Sequence, residues 1–159
     1  MSKNHIYKTT VSWNGTLKGT INYGSYSRNH VISTENKPII DASSDASFKG
    51  DIKRYNPEEL LVASASSCHM LWYLHLCAIE GVVVLEYTDN ASGIMLEEAN
   101  GSGRFLEILL NPTVTVKDRS MAPKANELHH KANKMCFIAN SCNFPIKHTP
   151  IIIVNEDKQ

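Results

Sequence analysis

The strongest pattern along the chain is the apolar segment bounded by Asn56 and Gly81. Asn56 is a good helix cap, Pro57 suits the first helical position, and Glu58 and Glu59 favour the positive end of the helix dipole. Gly81 is a natural terminator. Apolar residues fall on nearly every face between them, which predicts a central, buried helix. Upstream, residues 5–13 alternate and are rich in Thr, Val and Tyr; Asn14-Gly15 then signals a hairpin, with 17–26 as the returning strand. His30 to Thr34 and Pro38 to Asp41 read as one or two short strands, and 42–55 as a polar loop. Downstream, Val82 to Thr88 reads as a strand, followed by turn residues Asp89-Asn90 and a strand near 92–97. After the turn Asn100-Gly101-Ser102-Gly103, Arg104 to Val116 predicts a strand that Pro112 pushes to an edge or a bulge. A second helix is predicted over 121–139, with Ser120 as cap and Pro123 in its first turn, and a last strand over His148 to Asn155. The order ββ(β)–α–ββ–α–β implies an α+β fold, an antiparallel sheet packed with two main helices.

Length and composition refine this picture. A chain of 159 residues predicts one domain, and 42% hydrophobic with 20% charged residues is ordinary for a globular protein able to bury a core without staples. Net charge is zero, 16 basic against 16 acidic residues, and no basic run exceeds two, so nothing recommends nucleic acid or a membrane as partner. Met1 to His5 leads straight into the alternating segment with no apolar signal core, and no uninterrupted apolar run approaches 18 residues; a cytoplasmic location is the expectation. In a reducing compartment four cysteines are not expected to form a permanent disulfide framework.

Cys68 lies in the middle of the predicted apolar helix. A thiol there is usually inert filler, but small serines precede it and Cys136 follows much later, which suggests a redox pair. A peroxide-reducing or otherwise nucleophilic cysteine must be a thiolate at neutral pH. Lowering an ordinary thiol from about 8.5 to about 5–6 takes roughly 4 kcal/mol. The helix dipole fades within the first turn, and Cys68 lies 11 residues beyond Pro57. The requirement is therefore a partly buried cation, preferably arginine, which stays charged and donates in a fork. Of the four arginines, Arg28 is the first choice because a strand end can hold it rigidly over a helix; Arg54 and Lys49 are the alternates. Glu58 precedes Cys68 by ten residues, roughly 15 Å of helical rise. If Glu58 orients the arginine at the thiol, it comes most simply from a second subunit whose central helix runs antiparallel, forming a two-fold dimer. Cys77 lies on the opposite helix face from Cys68 and reads as core; Cys142 could be a substitute redox partner or core.

Asn56-Pro57-Glu58-Glu59-Leu60, the cysteine ten residues after Glu58, and Cys136-Phe137-Ile138-Ala139-Asn140-Ser141 together resemble the OsmC/Ohr family, the osmotically inducible and organic hydroperoxide resistance proteins. The element order agrees with that family over nearly the whole chain. The resemblance implies a thiol-dependent peroxidase working as an intertwined homodimer. Cys68 would be the peroxidatic cysteine, Cys136 the resolving cysteine and Glu58 the family's glutamate. The family's arginine has no motif match here, so Arg28 rests on its place at a strand end, and Phe137 stands where familiar members often carry proline. The implied cycle forms a sulfenic acid on Cys68, condenses it with Cys136 to a disulfide, and regenerates both thiols with a dithiol reductant. Organic hydroperoxides are the implied substrates, with hydrogen peroxide a second candidate. No cofactor is called for. Met70, Leu71 and Trp72 could line an apolar pocket, or simply be core.

Two rival readings stand beside this one. Cys68, His69, His75, Cys77, His129, His130, Cys136, Cys142 and His148 offer metal-ligand chemistry, though with no CxxC, HxxxH or other tight ligand spacing. A non-enzymatic, stress-related binding module would need no cysteine chemistry at all.

Overall fold

The computed structural model of the chain describes residues 2–155. It divides into two compact units, one ending at Leu60 and the other beginning at Leu61.

In the first unit, β1 (Thr10–Ser12), β2 (His30–Ser33) and β3 (Ile40–Ala42) form an antiparallel sheet in that order. The Asn14-Gly15 signal does not produce a tight hairpin: β1 pairs with β2, and residues 17–26 form turns rather than a strand. Local bonds win there. The Ser25 hydroxyl donates to the carbonyls of Gly19 and Asn22, and Gly19 adopts φ +50°, so this Gly/Ser/Asn-rich stretch satisfies itself without a ladder. Trp13 Nε1 closes the loop by donating to the Ser27 carbonyl at 2.6 Å. The segment before the helix, read as a loop, is organised around buried Ser43. Its hydroxyl donates to Asn29 Oδ1 and accepts from the Asp51 N–H, and Ala46–Phe48 make a single 3-10 turn.

The helix α1 (Pro57–Ile79) begins with the expected cap, made reciprocal. Asn56 Oδ1 accepts from the Glu59 N–H at 2.7 Å, and Glu59 Oε2 accepts from the Asn56 N–H at 3.1 Å. It ends at Gly81, which takes φ +74° while the Val82 N–H returns to the Cys77 carbonyl. Although α1 is apolar nearly all round, it buries one stripe, Ala65, His69, Tyr73, Leu76 and Cys77. Leu71 is 63% and Ile79 65% exposed. By length and composition alone α1 is long and apolar enough to cross a membrane, yet its buried stripe carries a histidine and a tyrosine that pack on another helix.

The second unit holds the rest of α1 and two three-stranded sheets. Strands β4 (Val84–Asp89), β7 (Pro112–Val116) and β9 (Ile151–Val154) form one; β5 (Ser92–Glu97), β6 (Gly103–Leu110) and β8 (Ile146–His148) form the other. The expected strand 104–116 is two strands in two sheets, split at Asn111. Pro112 leads off β7, a place where its missing N–H is tolerated, and Asp89 Oδ1 accepts from the Asn111 N–H at 2.7 Å. The last strand is split in the same way at Thr149-Pro150, sending β8 along β6 and β9 along β7. Both of those pairings are parallel, while β4–β7 and β5–β6 pair antiparallel as expected, so the sheets are mixed; a crossover through helices is what delivers parallel strands.

That crossover is also broken. A 3-10 turn at Arg119–Met121 leads into α2 (Ala122–Met135), and Ser120 is not its cap. The helix stops at Cys136, in extended backbone (φ −66°, ψ 116°), before the short α3 (Phe137–Ser141). Tyr73, Leu76 and Cys77 of α1 pack with Val114, Val116, Ala125, Leu128 and Ala132 in one core; Ala65, Ile108, Leu110 and Ile146 form a second.

Candidate active site between two helices

The two cores leave a polar and sulfur-bearing strip where α1 meets α2. Cys68 sits mid-helix on α1 and is half-buried. Cys136 is fully buried at the break between α2 and α3, close enough to the Cys68 thiol for that thiol to perturb its own. The break is what positions it. As cap of α3, the Cys136 sulfur accepts from the Ala139 N–H at 3.4 Å, which a residue inside a continuous helix could not do. Burial first, and the adjacent Cys68 second, push the Cys136 thiol up to about 11. It is therefore held as a neutral thiol beside the more accessible Cys68. Trp72, one turn after Cys68, meets Phe137, next to Cys136, edge-on at 5.5 Å, so an aromatic pair flanks the sulfur pair.

The other two cysteines lie elsewhere. Cys77 is buried in the core beside Tyr73, and burial raises its thiol. Cys142 caps the end of α3 and packs among Ala65, Ile108 and their neighbours; burial raises it as well.

Arg28 and Glu58 lie in the first unit. The Arg28 guanidinium stands 4.0 Å from the Tyr26 ring centre and 4.3 Å from that of Tyr23, and donates to both residues' carbonyls. It borders a cavity of about 450 Å³ lined with Val11, Trp13, Tyr26, His30 and Pro57. Glu58 Oε2 is buried with no hydrogen-bond partner among the described residues. The alternates are engaged: Arg54 pairs with Asp41 at 2.9 Å and Asp51 at 3.7 Å, and the Lys49 ammonium lies 4.9 Å from the Tyr23 ring centre.

The histidines form a group whose arrangement the sequence did not disclose. His69 on α1 and His129 on α2 are both fully buried, with Nε2 of the first 3.0 Å from Nδ1 of the second. His148 on β8 reaches His130 at 3.2 Å and stands 5.4 Å from His69, ring centre to ring centre. Burial pulls His69 down to about 4 and His129 to about 3; nearby imidazoles add to both. The sequence signals were His69 within the apolar helix and the adjacent pair His129-His130 in the second one. For the metal reading, no three His, Cys, Asp or Glu side chains among the described residues converge to hold an ion.

The family model for OsmC-like protein matches residues 49–150. No curated protein matches the chain. Among solved structures, an OsmC-like protein of unknown function from Vibrio cholerae is 30% identical with a TM-score of 0.82, over 95% of this chain and all of that one. An organic hydroperoxide resistance protein from Elizabethkingia anophelis, 18% identical, shares the fold at a TM-score of 0.66 over 96% of this chain and 100% of its own. So does one from Legionella pneumophila, 16% identical, with a TM-score of 0.68 over 95% and 100%. With a family match over residues 49–150, and a relative at 30% identity along its full length, this chain belongs to the OsmC-like family.

Proposed function

We propose that this chain is a thiol-dependent peroxidase that reduces organic hydroperoxides, with hydrogen peroxide as a second substrate. The observation that carries the reading is the neighbouring pair of thiols, one accessible at Cys68 and one buried at Cys136. The Cys68 thiolate attacks the outer peroxide oxygen, the O–O bond breaks, and the alcohol or water leaves with a proton. The Cys136 sulfur then displaces hydroxide from the Cys68 sulfenic acid, and its proton leaves with that hydroxide as water. A dithiol reductant exchanges with the disulfide and restores both thiols. The substrate class agrees with the names of the Elizabethkingia and Legionella proteins.

Arg28 supplies the cation for Cys68 in this proposal, and Glu58 orients it. Since Glu58 and Cys68 are ten residues apart on one helix, roughly 15 Å, the glutamate comes from the antiparallel helix of a second subunit. A buried carboxylate oxygen without a partner fits a site completed by another chain. So do the exposed apolar side chains Leu71, Ile79 and Ile94. The working form is then a cytoplasmic homodimer.

Peroxide consumption with a dithiol reductant tests the reading. Wild type should consume an alkyl hydroperoxide catalytically and Cys68→Ser should not. Equal slow consumption by both would sink the mechanism in favour of a non-enzymatic binding module, and a fully active monomer in sedimentation would sink the shared site.

A further inference from the structure

The thiols are not the only pair that bridges α1 and α2. The residue after Cys68 is His69, whose imidazole crosses the same interface to His129, seven residues before Cys136. The two nitrogens are 3.0 Å apart and the ring planes differ by 8°. Tyr73, one turn further along α1, stacks on His129 at 3.9 Å with planes 14° apart. All three side chains are fully buried. Apolar packing alone is non-directional, so leucines there would fill the space and leave α2 free to shift on α1. A hydrogen bond between two stiff rings fixes a distance and a direction.

We propose that the His69–His129 hydrogen bond, backed by Tyr73, is the positioning device that holds Cys136 against Cys68. The inference rests on reading the two cysteines as a redox pair. Along α1 the imidazole contact is adjacent to the thiol contact; along α2 the two are about 10 Å apart. Contacts spaced in that way fix the register and the tilt of α2 together. Cys136 lies at the end of α2, where the chain leaves the helix, so a small tilt moves its sulfur most. The groups around the pair are Tyr73 and Cys77 of α1, His130 of α2, His148 of β8 and, behind Tyr73, Tyr87 of β4. None is a carboxylate or a permanent cation, so the pair remains neutral and shares one proton across the bond.

The test is the effective concentration of Cys68 and Cys136 toward each other at neutral pH, set by equilibrium with glutathione. Protein dithiol and glutathione disulfide give protein disulfide and two glutathione thiols, and mass spectrometry follows the Cys68–Cys136 peptide pair. His69→Leu and His129→Leu should each lower the effective concentration about tenfold and also lower the unfolding temperature, since each leaves the other imidazole buried without its partner; the double leucine variant, which removes both polar groups, should show the same loss of effective concentration with the unfolding temperature level or higher. His69→Gln and His129→Asn, which return an amide atom to the positions of Nε2 and Nδ1, should remain within about twofold of wild type. Should a leucine variant fail to fold, His69→Asn, too short to reach His129, takes its place with the same expected loss. Leucine variants that keep the wild-type value overturn the proposal, and so does a His69→Gln that falls as far as His69→Leu. A wild type that forms no Cys68–Cys136 disulfide overturns the redox reading itself, a separate result.

Discussion

Acidification should destabilise this protein well above the pH at which its carboxylates titrate, through the two imidazoles buried between α1 and α2. Burial holds His69 at about 4 and His129 at about 3 in the fold. In the unfolded chain both return to about 6.5. Between those values the unfolded chain binds protons that the folded one refuses. Stability is therefore lost as pH falls below about 6.5, and the loss continues down to the folded values. At about pH 5 neither ring is charged in the fold, so the loss depends only on the unfolded value and not on how the pair shares its coupling. Each ring then contributes about 1.4 kcal/mol per pH unit over about 1.5 units, roughly 2 kcal/mol, and the two together about 4 kcal/mol. Against a typical total of about 5–15 kcal/mol that is a large fraction. His148, held down by burial and by His130, adds in the same direction. The assay is denaturant unfolding at fixed protein concentration between about pH 7 and about pH 5, above the range where carboxylates titrate. Each single leucine variant at His69 or His129 should recover about 2 kcal/mol of the pH-dependent loss, and the double variant about 4 kcal/mol. Wild-type stability that is flat over this range, or a double variant as steep as wild type, would refute the reasoning.

Cys136→Ser should reduce one equivalent of alkyl hydroperoxide and then stall, leaving a Cys68 sulfenic acid that a dimedone label captures; continued turnover with a dithiol would remove Cys136 from the cycle. After one equivalent of peroxide, peptide mapping of wild type should find a Cys68–Cys136 disulfide and no Cys68–Cys77 product, because Cys77 is sequestered beside Tyr73 in the core. Asn56→Ala removes one arm of the reciprocal cap on α1 and should cost about 1 kcal/mol in urea unfolding, with no change in fold by circular dichroism. A methyl group at Gly50 would sit 1.6 Å from the Ser44 carbonyl oxygen. Gly50→Ala should therefore lower stability by about 3 kcal/mol or more, visible as a lower unfolding temperature.

Local chemistry carried much of the outline. Asn56, Glu59 and Gly81 delimit α1 by bonds made within a few residues of themselves, so that helix was legible before any packing was known. Pro112 marked an irregularity for an equally local reason, its missing N–H. What failed was choice among partners. Residues 17–26 read as the returning strand of a hairpin but satisfy themselves in turns, and the partner that β1 takes instead lies beyond them. The splitting of 104–116 and of the last strand between two sheets depends on which neighbours are free, which no window of sequence contains.

The candidate site divides along the same line. The sequence by itself determined which residues bear reactive chemistry: a thiol within a capped apolar helix, a second thiol far along the chain, and one turn-based periodicity that forbids Cys68 from meeting Cys77. Only the tertiary structure decided that the second helix breaks at Cys136 and lays that sulfur beside Cys68, and that His69 finds His129 across the same interface. The physical reason is range. Caps, turns and helix faces are set by bonds a few residues long, whereas the thiol pair and the imidazole pair join side chains about sixty to seventy residues apart, through the packing of one whole helix on another.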